Sequence, residues 1–273
     1  MENTVLMAIF TMSGLSLFFS IFLGFADKFL RVEENPLIAK VNELLPGANC
    51  GGCGFAGCYD FATKVVEGKV EPSACSVNDS DNVKEIGALL GKEVQSGPKL
   101  VARIMCKGGK AEAVRKQTEY HGPKTCLAMH VLSGGDKLCF YGCLGGGDCV
   151  NVCPFQAMFM NSNGLPVVID ELCTGCGICV QNCPRNIIEL HPIDRKVFVF
   201  CKNQDDPRTS AQVCKVACTG CSVCARKLDG AVKIENNLAF LNYEALEKLE
   251  TVELSEICKT GALSKLKGNG NFN

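Results

Sequence analysis

Residues 173–184 contain cysteines at a spacing that suits iron–sulfur chemistry. Cys173, Cys176 and Cys179 are separated by two residues each, and Cys183 follows after three more and is joined to Pro184. Three thiolates this close in sequence can turn around one [4Fe–4S] cluster, while the proline ends the turn and directs the fourth thiolate to a neighbouring cluster. The run therefore predicts one-electron transfer chemistry.

A second run precedes it and has a gap in its ligands. Cys143, Cys149 and Cys153-Pro154 align with the later run residue for residue, but Gly146 stands where the second ligand is expected. In paired bacterial ferredoxin clusters, the fourth cysteine of each run binds the other cluster. This rule gives one complete set and one set that lacks a ligand. The complete set is Cys153, Cys173, Cys176 and Cys179, and the incomplete set is Cys143, Cys149 and Cys183.

An earlier group of cysteines lies on a glycine-rich loop. Cys50, Cys53 and Cys58 are separated by two and four residues, and Cys75 follows after a helix-like stretch, residues 59–66. The loop glycines allow the backbone to wrap closely around a cofactor and to direct N–H groups at the sulfurs. We expect one [4Fe–4S] cluster here. A four-cysteine zinc site is the alternative, although zinc ribbons usually have two separate Cys-x2-Cys pairs.

The cysteine pattern also repeats along the chain, because residues 201–265 match residues 126–190 at an offset of 75. The matches are Cys126 with Cys201, Cys139 with Cys214, Cys143 with Cys218, Cys149 with Cys224, and Cys183 with Cys258. The position of Gly146 is Cys221 in the second copy, which predicts a complete set. The ligands of the other cluster are absent together, since their positions are Leu228, Lys248, Thr251 and Leu254. The second copy is thus a degenerate module, with Cys218, Cys221, Cys224 and Cys258 as its ligands.

Five cysteines remain, and one of them must complete the set at Gly146. If the other four form a set of their own, the 20 cysteines hold five clusters. The repeat favours a cluster between the two copies, held by Cys126, Cys139, Cys201 and Cys214, with Cys106 completing the set at Gly146. Completion by Cys139 is a close alternative, and another is that some of the five are free thiols.

Composition and charge exclude several other functions. The chain has 273 residues with 28 basic and 29 acidic side chains, a net charge of −1, and no basic stripe that would bind nucleic acid. No G-x-G-x-x-G segment opens a helix after a strand, so we expect no nicotinamide or flavin site. His121, His130 and His191 are scattered and form no catalytic arrangement. No catalytic residue is predicted.

The N-terminus predicts a membrane anchor. Residues 3–26 carry no charge and are long enough to cross a bilayer as a helix, and they lack the cleavage site of a signal peptide. Lys28 and Arg31 follow the span, which favours a cytoplasmic location for the rest of the chain. In that reducing compartment stable disulfides are not expected. A buried helix of a soluble domain is the alternative.

Together these features predict an α+β fold in four parts. They are a transmembrane anchor at 1–27, a small four-cysteine [4Fe–4S] domain at 28–98, a bacterial ferredoxin-like module at 99–195, and a degenerate second module at 196–273. Regular structure is expected to be sparse, so that metal ligation supplies much of the folding energy.

The order of these motifs resembles the B subunit of the Rnf complex. The run CFYGCLGGGDCVNVCPFQA followed by CTGCGICVQNCP is similar to the long form of that protein found in anaerobes. The resemblance covers essentially the whole chain, and only the degenerate tail departs from it. It implies a membrane-bound ferredoxin:NAD⁺ oxidoreductase coupled to Na⁺ or H⁺ transport. In such a complex the B subunit takes electrons from reduced ferredoxin and passes them to the membrane and flavin-bearing subunits.

Two other functions are compatible with the sequence. One is a polyferredoxin-like component of a hydrogenase- or dehydrogenase-linked membrane oxidoreductase. The other is a membrane-anchored structural adaptor that binds zinc, which would be colourless and without redox activity. The two Cys-Pro endings favour clusters over zinc.

Overall fold

The computed structural model describes residues 2–30, 35–95, 97–118, 120–228, 230–245 and 253–266. All 20 cysteines lie within these ranges. Arg31, Lys248 and Thr251, which take part in the predictions above, lie outside the described residues.

The apolar N-terminal stretch forms one helix, α1 (Glu2–Leu30). Its segment Val5–Leu30 is long and apolar enough to cross a membrane, by length and composition, and none of it is buried within the protein. The helix continues beyond the predicted stretch through Lys28 in its last turn, where a basic side chain interacts favourably with the helix dipole.

A small helical unit carries the first four cysteines. Its helices are α2 (Pro36–Glu43), α3 (Cys58–Val66) and α4 (Ser80–Leu89), with a 3₁₀ turn at Pro72–Ala74. The side chain of Asn35 caps α2 by accepting a hydrogen bond from the Leu37 N–H (3.0 Å). Val41, Phe61 and Ile86 bring the three helices onto one buried apolar core. This packing fixes the position of Cys58 at the first turn of α3.

The first ferredoxin-like copy, residues 100–192, is built on two short antiparallel pairs. Strand β1 (Leu100–Ile104) pairs with β4 (Ile188–Pro192), and β2 (Met158–Met160) pairs with β3 (Pro166–Val168). Between the strands lie the helices α5 (Cys126–Leu132), α6 (Asp148–Asn151) and α7 (Ile178–Gln181). Its core combines aliphatic side chains with cysteines. Arg103 is buried at 2% exposure and is paired with Asp170.

The second copy, residues 197–265, repeats this plan. Strand β5 (Val197–Val199) pairs with β8 (Leu263–Lys265), and β6 (Val232–Glu235) pairs with β7 (Leu238–Leu241). Its helices are α8 (Pro207–Val213), α9 (Val223–Lys227) and α10 (Leu254–Ile257), with a 3₁₀ turn at Tyr243–Ala245.

The outer strand pairs define how the two copies correspond in space. Beyond β1, the Met105 N–H donates to the Ile187 carbonyl at 2.7 Å, and beyond β5, the Phe200 N–H donates to the Ala262 carbonyl at 2.7 Å. Met105 therefore corresponds to Phe200, and the next residues, Cys106 and Cys201, correspond to each other. The sequence offset of 75 does not show this relation, because the connection that follows β1 is twenty residues longer than the one that follows β5.

The mixture of helices and short strands confirms the predicted α+β class. The two copies meet at a small apolar cluster formed by Met105, Phe198 and Phe200. The domain limits at 27, 98 and 195 stay a prediction, although the helical unit and the two copies each have a separate buried core.

Candidate metal centres

Set 1 comprises the four cysteines of the helical unit. They line one cavity together with Phe61 and the loop that precedes α3. Asn49 closes this loop, because its Oδ1 accepts a hydrogen bond from the Cys58 N–H at 2.8 Å. Gly51 and Gly54 have φ values of 71° and 87°, which side-chain-bearing residues rarely adopt. The predicted set is thus gathered in space: Cys50, Cys53, Cys58 and Cys75.

Set 2 is the complete set predicted from the paired runs. Its cysteines line a cavity with Ala102 of β1 and Leu190 of β4. The Ala102 N–H donates to the Cys173 sulfur and the Ala157 N–H donates to the Cys153 sulfur, each at 3.4 Å. The members of this set are Cys153, Cys173, Cys176 and Cys179.

Set 3 lies around Gly146, where the sequence lacks a ligand. A side chain added at Gly146 would approach the Cys126 nitrogen to 2.6 Å and the Cys126 sulfur to 3.0 Å. Cys126, at the first turn of α5, therefore occupies the space of the missing cysteine side chain. Its thiol and those of Cys143 and Cys183 interact electrostatically with Cys149. Set 3 is thus Cys126, Cys143, Cys149 and Cys183.

Set 4 lies between the two copies. Four cysteines, two from each copy, line a cavity that also contacts Lys137 and Asn203. A side chain added at Gly108 would lie 3.0 Å from the Cys214 sulfur and 3.8 Å from the Cys106 sulfur. The members of set 4 are Cys106, Cys139, Cys201 and Cys214.

This placement corrects the grouping predicted from the sequence. From the sequence, Cys106 is expected with the set at Gly146 and Cys126 in the set between the copies, whereas the structure has Cys126 in set 3 and Cys106 in set 4. The correspondence of the strands explains the difference: Cys106 follows β1 as Cys201 follows β5, so these two enter the cavity as equivalent residues. Cys126 lies instead in the longer connection of the first copy. The sequence does contain a signal of this arrangement. Cys106 lies farther from Cys139 than Cys201 lies from Cys214, which indicates a longer connection in the first copy.

Set 5 belongs to the second copy. Its four cysteines line a cavity with Val199, Ala239 and Leu263. The Leu263 N–H donates to the Cys258 sulfur at 3.4 Å. Cys221 is exposed, whereas the other members are buried or half-buried. The set predicted from the repeat is gathered in space: Cys218, Cys221, Cys224 and Cys258.

The two degenerate positions of the second copy that the structure describes are filled by packing. Leu228 and Leu254, which stand where the first copy has Cys153 and Cys179, are 6% and 4% exposed and join one apolar core. Burial of such side chains stabilises the fold by about 1.5–3 kcal/mol each. At these two positions apolar contacts thus stand in place of cluster ligands.

Burial raises the pKa of several of these thiols and so favours their neutral form when no metal is bound. It raises the pKa of Cys139 to about 11 and that of Cys201 to about 12, with neighbouring thiols of set 4 adding to the effect. The pKa values of Cys143 and Cys149 are also raised, first by burial and then by other cysteines. Such thiolates need a strong positive partner, and iron in a cluster supplies it.

The donor sets fit [4Fe–4S] clusters in number, ligand type and surroundings. Each set offers four cysteines, and backbone N–H groups point at sulfurs in several of them. Among the described residues, no group of His, Cys, Asp or Glu is gathered closely enough to hold a single metal ion. A zinc tetrahedron would need sulfurs about 3.8 Å apart, because the Zn–S bond is about 2.3 Å.

Adjacent sets touch one another in a single order. A side chain added at Gly52, in the loop of set 1, would lie 2.5 Å from the Cys176 carbonyl oxygen of set 2. Sets 2 and 3 share one module, and Cys179 of set 2 acts electrostatically on Cys149 of set 3.

The order continues across the two copies. The Cys143 N–H of set 3 donates to the Cys106 sulfur of set 4 at 3.4 Å. The Cys218 N–H of set 5 donates to the Cys201 sulfur of set 4. These two contacts are equivalent in the two copies, and they complete a sequence from set 1 to set 5.

His191 and His130 make contacts with side chains other than the cysteines of these sets. His191 is buried, and its ring contacts Glu189 and Arg195 at 2.9 Å each. His130 lies on α5 near the ring of Phe140. These contacts agree with packing rather than catalysis.

Two family models match the chain in the regions of these cysteines. Residues 45–77, around set 1, match a family of Fe-S cluster domains. Residues 142–188, which contain most of sets 2 and 3, match the 4Fe-4S dicluster domain. Several [4Fe–4S] clusters are therefore the cofactors of the chain, as the spacing predicted.

Three relatives are similar over most of their length, each 38% identical, and each is the B subunit of its complex. That of the Na(+)-translocating ferredoxin:NAD(+) oxidoreductase complex of Acetobacterium woodii aligns with 89% of this chain and 73% of its own. The B subunit of the ion-translocating oxidoreductase complex of Methanosarcina acetivorans aligns with 89% of this chain and 92% of its own length. The B subunit of the proton-translocating ferredoxin:NAD(+) oxidoreductase complex of Clostridium ljungdahlii aligns with 97% of this chain and 93% of its own length. The predicted resemblance is confirmed: the chain belongs to the family of B subunits of ion-translocating oxidoreductase complexes.

Proposed function

We propose that this chain takes electrons from reduced ferredoxin and relays them to the membrane and flavin-bearing subunits of a ferredoxin:NAD⁺ oxidoreductase. The complex as a whole would couple this transfer to the movement of Na⁺ or H⁺ across the membrane. Two of the relatives carry ferredoxin:NAD(+) oxidoreductase in their names, one with Na(+) and one with proton translocation. Hydride transfer and ion movement belong to the partner subunits in this proposal.

The observation that carries the proposal is the continuous series of contacts from set 1 to set 5. In it, all 20 cysteines are ligands, four to each of five [4Fe–4S] clusters. The bound clusters would supply reversible one-electron oxidation and reduction, at potentials set by hydrogen bonds, charge and solvent exposure. The protein holds neighbouring ligand sets in direct contact, as between Cys143 and Cys106. Such contact keeps the steps between redox centres short.

The two ends of the series differ in a way that supports a direction. Set 5 has the exposed ligand Cys221, and the exposed Lys227 and Lys259 line its cavity. A soluble donor can approach this end. Set 1 follows α1 most closely along the chain, so the acceptor is expected beside the anchor. We place the cluster-bearing region on the cytoplasmic side, since Lys28 and Arg31 follow the span.

Two cysteine variants of the full complex, purified without oxygen, test this direction. Cys221→Ala removes a ligand of set 5 and Cys53→Ala removes a ligand of set 1, so each is expected to lose about four iron atoms per chain. Reduced ferredoxin is then mixed with each variant, and cluster reduction and NADH formation are followed by EPR and absorbance. We expect slow reduction of all remaining clusters in Cys221→Ala. In Cys53→Ala we expect fast cluster reduction but little NADH.

The opposite pattern would reverse the direction of the relay. Equal behaviour of both variants, with wild-type rates of NADH formation, would contradict the relay itself. Wild-type protein that contains zinc and no iron would favour the structural adaptor.

A further inference from the structure

One buried lysine lies in the middle of the series of cysteine sets. Lys137 is only 9% exposed, and its Nζ donates to the Gly108 carbonyl oxygen at 2.6 Å. It lines the set 4 cavity together with Cys106 and Cys139. Burying an ammonium group costs free energy unless an opposite charge or hydrogen-bond partners compensate it, because charges are poorly solvated in a protein interior.

No carboxylate neutralises this charge directly. Among the described residues, no Asp or Glu oxygen lies within 4.0 Å of Lys137, whose hydrogen-bond partner is a neutral carbonyl. Lys202 also lines the set 4 cavity, but it is paired with Glu189. Glu112, a negatively charged side chain, also interacts electrostatically with Cys214. Its Oε2 accepts hydrogen bonds from the Gly109 N–H at 3.0 Å and the Asn163 side-chain amide at 2.9 Å.

The charge of Lys137 reaches two sets. Its ammonium group is near enough to interact electrostatically with Cys143 of set 3 and with Cys214 of set 4. The Cys143 N–H also contacts the Cys106 sulfur, so that Lys137 lies where sets 3 and 4 meet. The cavities of sets 1 and 2 have no lysine or arginine in their lining, and those at set 5 are exposed.

The second copy provides a natural contrast. At the offset of 75 residues, the position of Lys137 is Gln212, which is neutral and exposed. The lysine is therefore a feature of the first copy, and the strand frame that the copies share does not require it.

We propose that Lys137 raises the reduction potentials of the clusters in sets 3 and 4, and so controls the central steps of the relay. The inference rests on the proposed function, since it requires [4Fe–4S] clusters at both sets. Adding one electron makes a cluster more negative by one charge, and a nearby positive charge stabilises that reduced form. The effect is large in a protein interior, where water does not screen the charge. Lys137 acts through the clusters, as a residue that sets their potentials.

Redox titration of the purified full chain, followed by EPR, tests the proposal. We expect Lys137→Met to lower the midpoints of two signals, with an about tenfold lower ratio of reduced to oxidised cluster at the wild-type midpoint. Lys137→Arg should keep the wild-type midpoints, because it keeps the charge. The matched control is Lys215→Met, which removes an exposed lysine next to Cys214 and should shift them little. Adding Cys214→Ala, which removes set 4, should leave one shifted signal, that of set 3.

The outcomes separate this proposal from the proposed function. Full iron content with unchanged midpoints in Lys137→Met would overturn the role of Lys137 alone, as would an equal shift in Lys137→Arg. Lys137→Gln, which can still donate a hydrogen bond, covers the case in which Lys137→Met loses iron. Loss of iron in all three variants would make Lys137 a structural residue and overturn the proposal. Wild-type protein without iron would instead contradict the proposed function.

Discussion

The two ferredoxin-like copies share a strand frame but arrange their cysteines differently. In both, the second residue after the first outer strand is a cysteine of set 4, and a backbone N–H from the neighbouring set contacts its sulfur. The first copy adds twenty residues after Cys106 and holds two further sets, whereas the second keeps one. The comparison shows that the frame positions the cysteines, while the connections decide how many sets are complete.

Gly146 and Cys221 occupy the same position in the two copies, and each copy provides a cysteine there in a different way. In the second copy Cys221 supplies the ligand from within the run. In the first copy the run has Gly146, and Cys126 arrives from α5 to fill the same space. The longer connection of the first copy thus supplies a cysteine at the position where its run has none.

Pairs of cysteine variants test whether Cys106 and Cys126 belong to the sets that the structure gives them. The expected loss of iron is the largest effect predicted here. Two alanine substitutions in the same set should remove one cluster, and two in different sets should remove two. We therefore expect Cys126→Ala/Cys183→Ala to lose about four iron atoms per chain and Cys106→Ala/Cys183→Ala to lose about eight. Iron and sulfide analysis of the full chain, purified anaerobically, measures both.

The reverse result, eight for the pair with Cys126 and four for the pair with Cys106, would restore the grouping predicted from the sequence. Cys106→Ala/Cys214→Ala serves as an internal control. It lies within set 4 and should lose about four.

Gly146 allows a sharper test of how Cys126 fills its space. Gly146→Ala places a Cβ 2.6 Å from the Cys126 backbone nitrogen, closer than real Cβ atoms approach, so that α5 must shift. We expect loss of the set 3 cluster, about four iron atoms, or a weakened hold on it. Iron analysis after gel filtration measures the loss.

Gly142→Ala is the matched control for this substitution. Its nearest contacts, all with Cys139, lie at 3.5–3.6 Å, an ordinary van der Waals distance. Neither glycine has a positive φ, so that backbone strain does not complicate the comparison. Full iron content in both variants would mean that Cys126 does not need its present position.

Local spacing was sufficient to predict which cysteines of sets 1, 2 and 5 are gathered in space, while their role as cluster ligands stays a prediction. Their ligands lie in short runs, and each run places its thiolates on one turn, with a fourth ligand at a position that the pattern predicts. The membrane-length helix α1 and the α+β class were predictable for a similar reason, because length, charge and periodicity are local properties.

Sets 3 and 4 could not be assigned in the same way. Their grouping depends on which strands pair, and β1–β4 and β5–β8 join residues that are distant in sequence. A constant offset of 75 residues aligns most of the two copies but fails where one connection is longer. The role of Lys137 was also missed, since a single lysine in sequence does not reveal that it will be buried without a carboxylate.

The smallest expected effect concerns the apolar replacement of a ligand set in the second copy. Leu254 stands where the first copy has Cys179, and it is 4% exposed in the core with Leu228. Leu254→Ala should leave the iron content unchanged and lower the free energy of unfolding by about 2–5 kcal/mol, because it opens a cavity. The thermal unfolding midpoint of the iron-loaded chain, recorded anaerobically, should fall. Leu127→Ala, at a leucine that is 62% exposed, is the matched control and should change the midpoint little. If Leu254→Ala released iron as Cys179→Ala is expected to do, the leucine core would be a support for set 5. If the midpoint did not move, packing would not be what replaced the missing ligands.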